Sequence, residues 1–209
     1  MHIVGAHVVV YYFPYHYFRS LSFSMIVDPH TGLLDLARQV PSPNFDDRPA
    51  GTPVDLLVVH NISLPPGEFG GPWIDDLFTN RLDPHAHPYF KQIHQMQVSA
   101  HALIRRNGEI IQYVPFHKRA WHAGQSNYCG RERCNDFSIG IELEGCDTQD
   151  FEPCQYERLA SLINALLQAY PDLTPDHIVG HSEIAPQRKT DPGPHFEWEK
   201  LRRLLAGSA

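Results

Sequence analysis

The sequence predicts an α/β (α+β) fold: a mixed central β-sheet flanked by helices. Three observations predict it. Val54–Val59 (VDLLVV) is an apolar run of strand length, as a fully buried strand requires. Asn107-Gly108 separates Ser99–Arg105 from Glu109–Val114, the strongest short-range signal for an antiparallel hairpin. Pro153–Tyr170 carries Leu159, Ile163, Leu166, Leu167 and Tyr170 at helical spacing, with Pro153 suited to the first turn.

The other elements follow in chain order. Residues 1–24 (MHIVGAHVVVYYFPYHYFRSLSFS) are apolar and aromatic, but Pro14 interrupts them and no Lys or Arg precedes the apolar run. A secretory signal needs a basic leader and a small-residue cleavage site, and neither is clear. The expectation is that Met25 is the natural start, that residues 1–24 are a non-native or misassigned extension, and that 25–209 form a single domain. The VDLLVV strand ends at His60-Asn61, and Leu64–Gly71 (LPPGEFGG) is a Pro/Gly-rich loop. Pro72–Phe78 and His87–His94 are short helical patches, Ser138–Leu143 (SIGIEL) and His177–Gly180 are strands, and Phe196–Leu205 is a closing amphipathic helix.

Composition narrows the function classes. A chain of 209 residues that is 42% hydrophobic and 20% charged has a soluble globular composition and buries a real core. A net charge of −7 argues against a general nucleic-acid binder. No stretch approaches the ~20 apolar residues of a membrane span. Four cysteines (Cys129, Cys134, Cys146, Cys154) form no C-x-x-C pair and suggest no disulfide framework. Histidine is the unusual feature: at 14 it is as frequent as glycine.

Three segments carry candidate chemistry: VVHNIS with His60, IGIELEG with Glu142 and Glu144, and GHSEIAPQRKTDPGP with His181, Lys189 and Asp191. Strand ends are where α/β sheets carry ligands and catalytic groups. Two strand-end histidines and an aspartate on a Pro/Gly-stiffened loop would supply the three protein ligands of a hydrolytic zinc site. A nearby carboxylate would take a proton from water, and a cation would stabilise an oxyanion. Spacing leaves this open. His60 and His181 lie far apart without an H-E-x-x-H helix, and His85, His87, His101 and His122 compete with them. Glu142 and Glu144 point to one face, and periodicity does not choose between them. Lys189 could be a solvated charge beside Arg188.

Taken together, PSPNFDDRP, LLVVHNISLPPGEFGGPWIDDLF, DPHAHPYF, VSAHALIRRNGEIIQYVPF, KRAWHAGQSNYCGRERCNDFSIGIELEG and GHSEIAPQRKTDPGP resemble the zinc-dependent N-acetylmuramoyl-L-alanine amidases of the type 2 family. Within that family they resemble the cytoplasmic branch of cell-wall recycling, and the likeness runs from Val40 to Leu205. The resemblance implies the amidase type 2, peptidoglycan-recognition-protein-like fold. It also implies zinc (Zn2+) on His60, His181 and Asp191, Glu142 as catalytic carboxylate and Lys189 as catalytic lysine. The implied substrate is an anhydro-muramyl peptide, cut between the lactyl group and L-alanine by a cytoplasmic monomer without nucleic-acid or membrane partners. Asn61, Trp121, His122 and Arg133 are the candidate substrate contacts; Arg131 is a weaker alternative to Arg133 for the stem carboxylates. His85, His87 and His101 become structural or groove-lining. The departures are the leader, Gln97 where an arginine is expected, and the loosely matched Asp147–Cys154. Two rivals remain: a non-catalytic peptidoglycan-recognition module, which would need a broken ligand set, and a zinc peptidase acting on the stem.

Overall fold

The computed structural model describes residues 25–207, so the expectation about the leader lies outside the described residues. Among the described residues ten strands occur in chain order: β1 (Arg38–Gln39), β2 (Phe45–Asp46), β3 (Leu56–Ile62), β4 (Ala102–Ile104), β5 (Ile110–Gln112), β6 (Arg119–Ala120), β7 (Asn127–Tyr128), β8 (Arg131–Glu132), β9 (Ser138–Glu144) and β10 (Ile178–Gly180). The helices are α1 (Trp73–Phe78), α2 (Phe90–Ile93), α3 (Pro153–Ala169), α4 (His181–Ile184) and α5 (Trp198–Ala206). Six strands form the central sheet in the order β1-β5-β4-β9-β3-β10. Only β4–β5 is antiparallel, so the sheet is mixed as expected.

The sheet is buried on both faces, and its central strands β3 and β9 carry apolar residues on each. Leu57 and Val59 of β3, with Ile139, Ile141 and Leu143 of β9, pack in one core with Tyr156, Leu159 and Ile163 of α3 and Leu201 of α5. Pro153 opens α3, and Glu152 with Gln155 forms a capping box there. On the other face Leu56 and Val58 join Ala123, Phe137, Val179 and Ile184. Leu103 and Ile111 pack with Ile74, Leu77 and Phe78 of α1 and Phe90 of α2. Among the described residues no helix is long and apolar enough to cross a membrane.

Several elements differ from expectation: α2 is shorter than His87–His94, α5 is shifted from Phe196–Leu205, α4 was not expected, and two more differ at the sheet. β3 continues past His60-Asn61 to Ile62, because β9 runs beside it in parallel register, His60 opposite Glu142 and Ile62 opposite Glu144. The hairpin forms around Asn107-Gly108 with shorter strands. Its turn is closed by Gly108 N–H donating to the Arg105 carbonyl at 2.9 Å, with Gly108 at φ 83°. Arg48 ties the loops in front of the sheet together by donating to the carbonyls of Asn135, Asp136, Phe116 and Ser138.

Candidate active site

Register decides which side chains meet. Partners in neighbouring strands share a face, and alternate residues along a strand share it too. Ser138, Gly140, Glu142 and Glu144 therefore stand on the face that carries Leu56, Val58, His60 and Ile62. β10, parallel to β3 on its other side, delivers His181 as the first residue of α4. Asp191 is brought back to the same point by its own carbonyl, which accepts from Ser182 N–H at 3.0 Å. Gly180 permits that approach: a Cβ there would lie 2.7 Å from Pro192 Cδ.

The result is a tight triad. His60 Nδ1 lies 3.0 Å from His181 Nδ1 and 3.0 Å from Asp191 Oδ2, and His181 Nδ1 lies 3.1 Å from the same oxygen. His60 and His181 are buried, 1% and 2% exposed. His181 Nε2 faces the Ala123 carbonyl at 3.1 Å; a carbonyl only accepts, so that nitrogen carries a proton and Nδ1 is the ring atom turned to Asp191 and His60. Burial pulls His60 down to about 4 despite its Asp191 partner, so at neutral pH it is uncharged. Burial works to raise Asp191, yet hydrogen bonds with His181 and His60 outweigh it and hold the carboxyl below its ordinary 3.8. Two imidazole nitrogens and a carboxylate oxygen thus converge on one point. Three acceptors at this spacing suit a divalent cation with nitrogen and oxygen ligands.

The site continues into a cavity of about 320 Å³ lined by His60, Glu142, His181, Lys189 and Asp191 on its polar side. Glu142 is buried, and its Oε2 has no hydrogen-bond partner among the described residues. Burial pushes the carboxyl well above its ordinary 4.5, the Asp191 charge adds to this, and the Lys189 ammonium opposes it. Lys189 makes no ion pair among the described residues, so its charge is available to the cavity. The opposite wall is apolar, built from Leu64, Leu77, Tyr89, Ile93, Met96 and Val98. Those residues were not singled out from the sequence, because apolar residues in short helical patches read as core. The exposure that sets this wall apart, 47% at Met96, is a property of the fold and not of the local pattern.

The remaining candidates separate. Asn61, Trp121 and His122 line the cavity. Asn61 also donates to Asp147 Oδ1 at 2.7 Å and to the Pro192 carbonyl at 3.0 Å, and Trp121 Nε1 donates to Asp46 Oδ1 at 3.3 Å. Arg133 is not brought to this cavity. It pairs with Asp136 at 3.2 Å and lines a second one of about 430 Å³ with Gln125, Asn127, Ile184, Gln187 and Arg188. Arg131 pairs with Asp55 at 2.6 Å and stacks on Phe137. His101 is structural: its Nδ1 accepts from Gly140 N–H at 3.0 Å and its Nε2 faces the Lys118 carbonyl at 3.0 Å. His87 Nδ1 accepts from Tyr89 N–H at 3.2 Å, and His85 is exposed. Glu144 separates from Glu142 in role. It accepts from Gly70 N–H at 2.7 Å, Arg105 at 2.9 Å and Arg106 N–H at 3.2 Å, clamping the LPPGEFGG loop to the sheet.

Comparison with known proteins bears on the family and the fold. The family model described as N-acetylmuramoyl-L-alanine amidase matches residues 50–194. The 1,6-anhydro-N-acetylmuramyl-L-alanine amidase AmpD of Escherichia coli K12 is 62% identical over 175 residues, 84% of this chain and 95% of that protein. A crystal structure of a selenomethionine AmpD superposes with a TM-score of 0.84 at 62% identity, covering 87% of this chain and 99% of the other. The E. coli amidase AmiD, solved with the substrate anhydro-N-acetylmuramic acid-L-Ala-D-γ-Glu-L-Lys, superposes with a TM-score of 0.54 at 34% identity. That match covers 74% of this chain and 59% of AmiD.

Proposed function

The chain belongs to the N-acetylmuramoyl-L-alanine amidase family, and from that premise we propose that it is a zinc-dependent hydrolase of peptidoglycan recycling. It cuts the amide between the lactyl group of 1,6-anhydro-N-acetylmuramic acid and L-alanine in a muropeptide. The observation that carries the reading is the convergence of His60, His181 and Asp191 beside a buried, unpartnered carboxyl in one cavity. The whole ligand set disfavours a recognition module that binds without cutting.

A zinc ion held by His60 Nδ1, His181 Nδ1 and an Asp191 oxygen would supply a Lewis acid and a water acidified towards pKa ~7. Glu142, as carboxylate, takes the proton of the attacking water and returns it to the L-alanine nitrogen as the amide bond breaks. Its burial makes it a stronger base than an exposed glutamate, and the absence of a hydrogen-bond partner leaves Oε2 free for that proton. Lys189 sets its ammonium against the negative charge that develops on the carbonyl oxygen. The apolar wall and Trp121 take the sugar face, and Asn61 orients the lactyl amide. Arg133, in the cavity bordering the same 181–191 loop, takes a stem-peptide carboxylate.

The enzyme acts as a cytoplasmic monomer. Four cysteines without a disulfide support a reducing compartment. The test is incubation of the chain with an anhydro-muropeptide, read by mass spectrometry with chelator and after zinc is restored. Release of the intact stem peptide, lost with chelator and regained with zinc, is expected. A clipped stem would make the protein a peptidase, and no cleavage by the zinc-loaded chain would make it a binding module.

A further inference from the structure

His60 has a second nitrogen, and its partner is another histidine. His60 Nε2 lies 2.9 Å from His122 Nδ1, and His122 Nε2 lies 3.1 Å from Ser138 Oγ. Both ring nitrogens of His122 are therefore committed within the protein, which leaves it only ring edges to offer a substrate. Its seat is made for it. Gly140 lies between Ser138 and Glu142 on the same face of β9, and a Cβ at Gly140 would stand 2.3 Å from His122 Cγ and 2.4 Å from its Nδ1. The backbone at this point is pinned as well: the N–H groups of His122 and Ala123 both donate to Asn135 Oδ1, at 3.2 and 2.8 Å.

We infer that His122, seated on Gly140 and anchored to Ser138, is a positioning residue that accepts the His60 Nε2 proton and so turns His60 Nδ1 toward the ligand point. The inference rests on the reading of His60 as a metal ligand. A neutral imidazole carries one N–H, so a His60 that gives its Nδ1 lone pair to a cation must hold its proton on Nε2. The group facing Nε2 must then accept, which puts the His122 proton on its own Nε2, directed at the serine oxygen. Ser138 fits this end because a hydroxyl accepts as readily as it donates. His181 is held differently, by the Ala123 carbonyl at 3.1 Å, so each histidine of the triad has its own orienting acceptor.

The experiment measures zinc affinity of the full chain by competition with a chromophoric chelator, with histidine 15N spectra of the zinc-loaded protein. His122→Phe keeps a ring of similar size without an acceptor and should weaken zinc binding by ~10–100-fold. His122→Asn retains an oxygen near the Nδ1 position and should restore affinity to within a few-fold of wild type. Gly140→Ala, which displaces the ring without removing it, should mimic His122→Phe. The wild-type spectrum should show the His60 proton on Nε2. Wild-type zinc affinity in His122→Phe with a raised KM would overturn the inference and make His122 a substrate contact. A His60 proton on Nδ1 in the zinc-loaded wild type would overturn it even if the variants failed to fold. If His60→Ala bound zinc like wild type, the ligand reading itself would fall; loss of zinc there with no effect of His122→Phe would remove the relay alone.

Discussion

Glu142→Gln should lower activity and raise stability at once. The glutamine keeps the shape of the side chain but cannot take a proton, and loss of a general base of this kind costs ~10²–10⁴ in kcat, or about 3–5 kcal/mol of barrier. The stability effect has the opposite sign. Burial raises the folded Glu142 pKa above its ordinary 4.5, so the folded state binds that proton more tightly than the unfolded chain. Its stabilising contribution is full below about pH 4.5 and is lost as pH rises through the folded midpoint. Wild type at pH 7.5 carries that deficit and the variant does not. The variant's advantage should grow by about 1.4 kcal/mol per pH unit above 4.5, then level off at the folded midpoint or the working pH, whichever comes first. Urea unfolding of both zinc-free proteins from pH 5 to 8 reads this directly. Any fixed cost of the new amide cancels, because only the pH dependence of the difference is used. A difference that stays flat across the range would refute the claim that Glu142 is a desolvated carboxyl.

Three further outcomes are expected. Lys189→Ala should retain stoichiometric zinc, measured by elemental analysis, while kcat falls ~10²–10³-fold; wild-type turnover would defeat its role at the oxyanion. Glu144→Ala should cost about 3–5 kcal/mol in urea unfolding, since it leaves the buried Arg105 guanidinium with the Gly71 carbonyl at 2.9 Å and, as its counter-charge, Asp75 at 3.6 Å. A loss under 1 kcal/mol would show that the clamp on the Gly70 loop matters little. His101, pulled down to about 3 by burial and by the Arg48 charge, should erode zinc-free stability as pH falls below 6.5, because the unfolded chain then takes the proton first. Over two pH units this is at most about 3 kcal/mol. His101→Asn, which keeps an acceptor for Gly140 N–H, should lessen the fall between pH 6.5 and 4.5, to which buried His60 and His122 also contribute, and an unchanged slope would contradict the burial argument.

What the sequence made legible was whatever depends on local pattern. The apolar run before His60, the Asn107-Gly108 turn and the spacing in α3 placed their elements within a few residues. The ligand set was another matter. His60 on β3 and His181 directly after β10 meet through the parallel pairing of β10 with β3, and no periodicity encodes that neighbour choice. The tie between Glu142 and Glu144 has the same origin: both are on one face, and only the position of Arg105 and the Gly70 loop makes Glu144 a clamp. His122 was indistinguishable from the other histidines because its seat is an absence, the missing side chain of Gly140 on another strand. The family resemblance supplied the ligand set and the choice of Glu142 where residue spacing left them open; for His122 it offered only a substrate contact. Arg133 came from the same motif-bearing block as Trp121 and His122, yet the β7–β8 hairpin carries it to a different cavity.

The alternate residues of β9 explain why one strand can serve several tasks. Ser138, Gly140, Glu142 and Glu144 follow each other at steps of about 6.6 Å along one face. The serine ends the hydrogen-bond chain from His60, the glycine makes room for its middle member, the first glutamate faces the cavity and the second holds the loop at its rim. The intervening Ile139, Ile141 and Leu143 are fully buried in the core that contains α3. A one-residue slip of β9 would turn all four polar or small residues into that core and bring three aliphatic chains to the site. The register is therefore held by the whole apolar face rather than by any catalytic contact. That is why a buried acid with no partner of its own can be kept beside the ligand point: the cost of Glu142 is borne by its neighbours on the opposite face.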